Sequence, residues 1–114
     1  MRSRDATEAG PSPARVCFEL RVHPHRLDEY RERHAAVWPE MLDALRRAGI
    51  RNYTIFRNGT QMFGYFESDD LEAASRFMAE QEVSGRWQDA MAELLEERVP
   101  DGGAPALEEI FRLE

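Results

Sequence analysis

Residues 50–67 read IRNYTIFRNGTQMFGYFE. Two runs rich in β-branched and aromatic side chains, residues 50–57 and 60–67, flank Asn58-Gly59. That dipeptide is a strong signal for a two-residue β-turn, because both of its residues tolerate positive φ. The stretch therefore predicts an antiparallel hairpin in the middle of the chain. The segments on either side of it decide the fold.

Ahead of the hairpin, Val16, Phe18, Leu20 and Val22 alternate with Cys17, Glu19 and Arg21, the period-2 pattern of a half-buried strand that ends near His23. Leu27, Tyr30, His34, Val37 or Trp38, Met41, Leu45 and Ala48 then recur at three- and four-residue steps between charged positions, as an amphipathic helix does. Gly49 is its expected C-terminal cap. Pro39 lacks an N–H and its ring crowds the carbonyl of Ala35, so the helix is expected to kink or restart there.

After the hairpin a second helix is expected from Asp69, with Glu72 as its capping-box partner and Leu71, Ala74, Phe77 and Met78 on the buried side. Ser84-Gly85 breaks that pattern. A third helix over residues 86–98 would turn Trp87, Ala90, Met91, Leu94 and Leu95 inward before Pro100-Asp101-Gly102-Gly103 ends it. The closing LEEIFRL, residues 107–113, has the length of a fourth strand. The resulting order β-α-β-β-α(α)-β is that of the α+β, ferredoxin-like split βαβ motif, a four-stranded antiparallel sheet with helices on one face.

The two central strands carry bulky residues at both parities: Ile50, Phe56, Met62 and Phe66 in one set, Tyr53, Ile55, Phe63 and Tyr65 in the other. Helices cover one face only. The other calls for a second subunit, since large exposed apolar patches mark interfaces, so a homodimer joined through its sheets is expected.

At 114 residues the chain suits one domain, residues 15–114, behind a polar leader, residues 1–14, expected to be disordered. A net charge of −7 with no basic cluster disfavours nucleic acid and anionic membrane surfaces as partners. All fifteen basic residues are arginine, which removes Schiff-base lysine chemistry, lysine-anchored pyridoxal phosphate and phosphate-loop lysines. One cysteine, Cys17, gives no disulfide framework and fits a reduced, cytoplasmic setting. No run approaches the roughly 18 apolar residues of a membrane-spanning helix.

Chemistry concentrates in residues 28–41, DEYRERHAAVWPEM. Tyr30 and His34, four residues apart on a helix, are neighbours on one face, so their polar tips can meet one small ligand. Histidine donates and accepts protons near neutral pH, and the phenol beside it adds a hydrogen-bonding group. The same spacing also suits plain packing. Trp38 and Trp87 fit a core, or a platform for the apolar face of a sugar ring. His23 and His25 form half of a possible metal site, but no carboxylate or cysteine stands near at ligand spacing, and no metal is expected. Glu93, Glu96 and Glu97 fit a solvated helix face.

Taken together, EYRERHAAVWPEM, GIRNYTIF, SGRWQDAM and LEEIFRL resemble, in order and spacing, the L-rhamnose mutarotase family, over nearly all of residues 15–114. The resemblance implies a small dimeric α/β barrel that interconverts the α and β anomers of L-rhamnose or a related pyranose without a cofactor. It implies His34 as the proton donor, Tyr30 as a sugar-holding residue and Trp87 as a sugar contact; Trp38, Asn52 and Arg86 are further candidates for sugar binding. Two positions depart from the family pattern: Gln88, where a second tryptophan is usual, and Arg112, where a tyrosine is usual. The architecture also suits a cofactor-free monooxygenase or polyketide cyclase, and a noncatalytic ligand-binding dimer.

Overall fold

The computed structural model describes residues 14–100 and 103–113. Its elements run β1 (Ala14–Arg21), a 3₁₀ turn (Pro24–Arg26), α1 (Leu27–Ala35), α2 (Pro39–Arg47), β2 (Ile50–Asn58), β3 (Gln61–Ser68), α3 (Leu71–Ala79) and α4 (Glu82–Ala92). Of the expected leader, only Ala14 falls within the described residues, and β1 begins with it.

The sheet is antiparallel in the order β1-β3-β2. Asn58 pairs with Gln61, so the two residues of the turn are Gly59 and Thr60, and only Gly59 needs positive φ (+65°). Register sets the faces. Val22, Met62, Gly64 and Ser68 are buried on the side the helices cover, whereas Cys17, Phe56, Phe63, Tyr65 and Glu67 point the other way.

Pairing of β2 with β3 slips by one residue between Arg51 and Thr54. At the slip Asn52 adopts φ +53°, the left-handed conformation found in one class of β-bulge and tolerated by asparagine. The extra residue changes the expected division of side chains. Ile50 falls on the helix side with Tyr53 and Ile55, and the Tyr53 ring lies 6.3 Å from Phe18 and 5.5 Å from Phe66.

The long first helix is broken, as Pro39 requires. α1 stops at Ala35, and Pro39 opens α2 at its first turn, where a missing N–H costs nothing. Gly49, at φ +84°, follows the end of α2 and bonds back to the Arg46 carbonyl. Asp70, not Asp69, caps α3, its carboxylate accepting from the Ala73 N–H at 3.1 Å.

Three expectations are corrected. α4 starts at Glu82 and runs through Ser84-Gly85, because one exposed glycine costs a helix only about 1 kcal/mol and the reversal already occurs at Glu80-Gln81. It stops at Ala92 rather than Arg98. Beyond it, Leu95 bridges to Val22, the Leu94 carbonyl accepts from His23, and the Glu96 N–H donates to the Arg21 carbonyl, so both leucines enter the core. Among the described residues the sheet has three strands, not four. Residues 104–113 run irregularly beside β1, tied by the Leu107 N–H to the Cys17 carbonyl (2.7 Å) and by Glu109 to Arg15 (2.5 Å). Ile110, Phe111 and Leu113 are more than three-quarters exposed.

Two apolar clusters fill the space between sheet and helices. Val22, Tyr30, Met62, Met91, Leu94 and Leu95 form one, Met41, Ala44 and Val83 the other, and Trp87 packs against both. No helix of the described residues is long and apolar enough to cross a membrane.

Candidate active site

The last turn of α1 brings Tyr30 and His34 together, ring centroids 4.3 Å apart and tilted by 34°. Trp87 of α4 meets the imidazole edge-on at 5.5 Å, and Trp38 meets Trp87 edge-on at 5.1 Å. Arg86 lies over the Trp38 ring, 5.6 Å from its centroid, and reaches Glu40 at 3.4 Å. Five of the six residues singled out by sequence thus form one chain of contacts: Tyr30, His34, Trp87, Trp38, Arg86. Asn52 stands apart. Its amide donates to Glu67 at 3.0 Å on the face of the sheet turned away from the helices.

Beside Tyr30 and His34 opens a cavity of about 340 Å³, also lined by Leu27, Arg31, Ala35, Ile55, Arg57 and Met62. Its size falls within the range of roughly 300 to 1,000 Å³ usual for small-molecule sites, and its walls mix apolar side chains with a few convergent polar groups. Trp38 and Trp87 lie behind the imidazole, outside this lining. Gln88 lines a separate cavity of about 40 Å³ with Asp89, Ala92 and Leu95, too small for a sugar.

The His34 Nδ1 lies 3.0 Å from the Tyr30 carbonyl oxygen. A carbonyl only accepts, so Nδ1 carries a hydrogen and the neutral ring leaves Nε2 with its lone pair. Burial lowers the imidazole pKa from 6.5, with the bond to Tyr30 opposing the shift. At neutral pH the ring is therefore mainly the uncharged tautomer with a basic Nε2. Burial pushes the Tyr30 phenol up to about 12, which keeps it a hydroxyl. Its ring is part of the core, so packing and chemistry share the residue.

Sequence reasoning missed Tyr53. It lies on the helix side, two residues before Ile55, and burial around its hydroxyl, with Tyr30 next in effect, raises its pKa to about 12 although 41 % of the residue is open. The signal was present but ambiguous: two-residue spacing puts Tyr53 on the face of Ile55, and periodicity alone does not say which face the helices cover. The polar set thus holds two protonated phenols and a neutral imidazole.

His23 and His25 stack with centroids 5.5 Å apart, and no group of three or more His, Cys, Asp or Glu able to hold a metal occurs among the described residues.

A family model described as L-rhamnose mutarotase matches residues 15–113. The chain belongs to the L-rhamnose mutarotase family. An L-rhamnose mutarotase of Burkholderia orbicola is 41% identical over 103 residues, 87% of this chain and 97% of that protein. One from Oceanobacillus iheyensis is 35% identical over 100 residues, covering 85% and 95%. Among solved structures, the L-rhamnose mutarotase of Formosa agariphila superposes with a TM-score of 0.71 at 26% identity, over 89% of this chain and all but 1% of that one. These matches support the mutarotase reading and not the monooxygenase, cyclase or noncatalytic alternatives.

Proposed function

We propose that this chain interconverts the α and β anomers of L-rhamnose or a closely related pyranose at the Tyr30–His34 cavity, by general acid–base catalysis and without a cofactor. Mutarotation needs one proton removed from the anomeric hydroxyl and one delivered to the ring oxygen as the C1–O5 bond opens. The open aldehyde then turns about C1–C2 and recloses on the other face of the carbonyl. By microscopic reversibility, the group that takes a proton on opening returns one on closing.

His34 is that group. The observation that carries the assignment is the bond between Nδ1 and the Tyr30 carbonyl, because it frees Nε2 of a neutral imidazole at the wall of the cavity. As base, Nε2 takes the anomeric proton while the Tyr30 hydroxyl gives its proton to the ring oxygen. On reclosure the tyrosinate takes that proton back as the hydroxyl attacks the carbonyl carbon, and the imidazolium protonates the carbonyl oxygen. The sequence alone suggested His34 as acid toward the ring oxygen, and its lowered pKa reverses the order in which the two forms are used. Burial keeps the resting Tyr30 hydroxyl protonated and so ready to be the acid toward the ring oxygen, and Arg57 of the cavity wall is a donor for the remaining hydroxyls. Trp87, with Trp38 behind it, holds the imidazole edge-on.

The active form in this reading is a cytoplasmic homodimer joined through the outer face of the sheet, a dimeric α/β barrel. Phe56 (64 % exposed), Phe63 and Tyr65 give that face its apolar character. Saturation-transfer NMR on L-rhamnose tests the activity. Magnetisation should pass between the two anomeric protons faster with the protein than without it, and equal transfer in both samples would refute the reading.

A further inference from the structure

The last carbonyls of a helix have no partner within it and carry the negative end of its dipole. α4 has no basic residue in its own last turn. The Leu94 and Leu95 N–H groups go to Met91 and Ala92, which leaves the Ala90 carbonyl without the bond that continuing the helix would provide. A guanidinium from another helix fills the place: Arg33 Nη1 of α1 donates to the Ala90 carbonyl oxygen at 2.5 Å. Arg26, just before α1, reaches the Glu93 carbonyl at 3.4 Å and its carboxylate at 3.6 Å.

Glu29 links the two arginines. Its carboxylate accepts from Arg26 Nε at 2.7 Å and from Arg33 through its other oxygen. Clamp and site interleave along α1, since Glu29 immediately precedes Tyr30 and Arg33 immediately precedes His34. What the clamp fixes is the placement of α1 against the end of α4. On that placement depends the 5.5 Å edge-on contact between His34 and Trp87, and with it the direction of Nε2.

We infer that Arg33 is a positioning residue for the mutarotation: by capping α4 from α1, with Glu29 holding its guanidinium in place, it sets the imidazole relative to the sugar. The inference rests on the acid–base reading of His34. Displacing a catalytic group by about 1 Å from a remote site can cost up to about 10²-fold in rate. The test is anomer exchange of L-rhamnose by intact Arg33→Met and Arg33→Lys variants, with kcat and KM measured separately and the folded fraction read by circular dichroism.

Arg33→Met should keep KM within about twofold and lose about tenfold or more in kcat per folded molecule. Arg33→Lys, with one donor for Ala90 but no fork, should recover part of that loss, as should methylguanidinium added to Arg33→Ala. Parent kcat in Arg33→Met would overturn the inference. So would a loss explained wholly by unfolding, with kcat per folded molecule unchanged, because that marks a purely structural contact. If His34→Ala itself exchanged anomers at the parent rate, the acid–base reading would fall instead, independently of Arg33.

Discussion

An imidazole on a helix becomes useful when one nitrogen is committed and the other is not. In His34 the committed atom is Nδ1, bonded to the carbonyl one turn back, and burial then favours the neutral ring. If the neutral form opens the sugar, kcat/KM should be high above the imidazole pKa and fall as pH drops through it. Because that pKa is lowered, the acid limb should lie below 6.5. At the alkaline end Tyr30, pushed up to about 12, should stay un-ionised, so the rate should remain level from neutral to moderately alkaline pH. A pH–rate profile whose acid limb lay above 6.5 would contradict this. The i, i+4 pair was legible in the sequence because helical spacing alone brings Tyr30 and His34 together. Their electrostatics were not, since burial arises from packing with residues distant in sequence, such as Met62, which shares the core with Tyr30 and the cavity wall with both rings.

Elements show the same division between local and long-range information. The hairpin, the restart at Pro39 and the cap at Gly49 each arise from residues within a few positions, and each is present. The bulge at Asn52 depends on register with β3, so strand periodicity set Ile50 on the face opposite Tyr53 and Ile55, whereas all three share the helix side. The fourth strand failed for a related reason: residues 107–113 have the composition of a strand, but they run irregularly beside β1, which the Leu107 N–H meets at the Cys17 carbonyl. Gly64 tests the packing of these elements. It faces Phe18 across the sheet, and a Cβ there would overlap the Phe18 ring, which itself contacts Tyr53 and Phe66. Gly64→Ala should therefore cost about 1 to 3 kcal/mol in a denaturant titration, with much of the loss restored by Phe18→Leu in the same chain. An alanine as stable as the parent would show that the ring yields freely.

At the scale of the whole molecule the helices enclose one face of the sheet and leave the other to solvent in a single copy. Phe56, Phe63 and Tyr65 occupy that open face, and the apolar residues of the C-terminal segment add exposed surface at its β1 edge. Sedimentation velocity should give the mass of a dimer for the parent chain, and Phe56→Glu should shift it to a monomer by burying a charge in the interface. A monomeric parent at micromolar concentration would count against the sheet-to-sheet assembly. Whether one copy or two, the proposed mechanism puts proton exchange on one ring at the wall of one cavity. The most direct measurement is anomer exchange of L-rhamnose by saturation-transfer NMR with His34→Gln, at matched concentration of folded protein. A drop of about 10²- to 10⁴-fold toward the uncatalysed rate is expected; exchange at the parent rate would contradict the account.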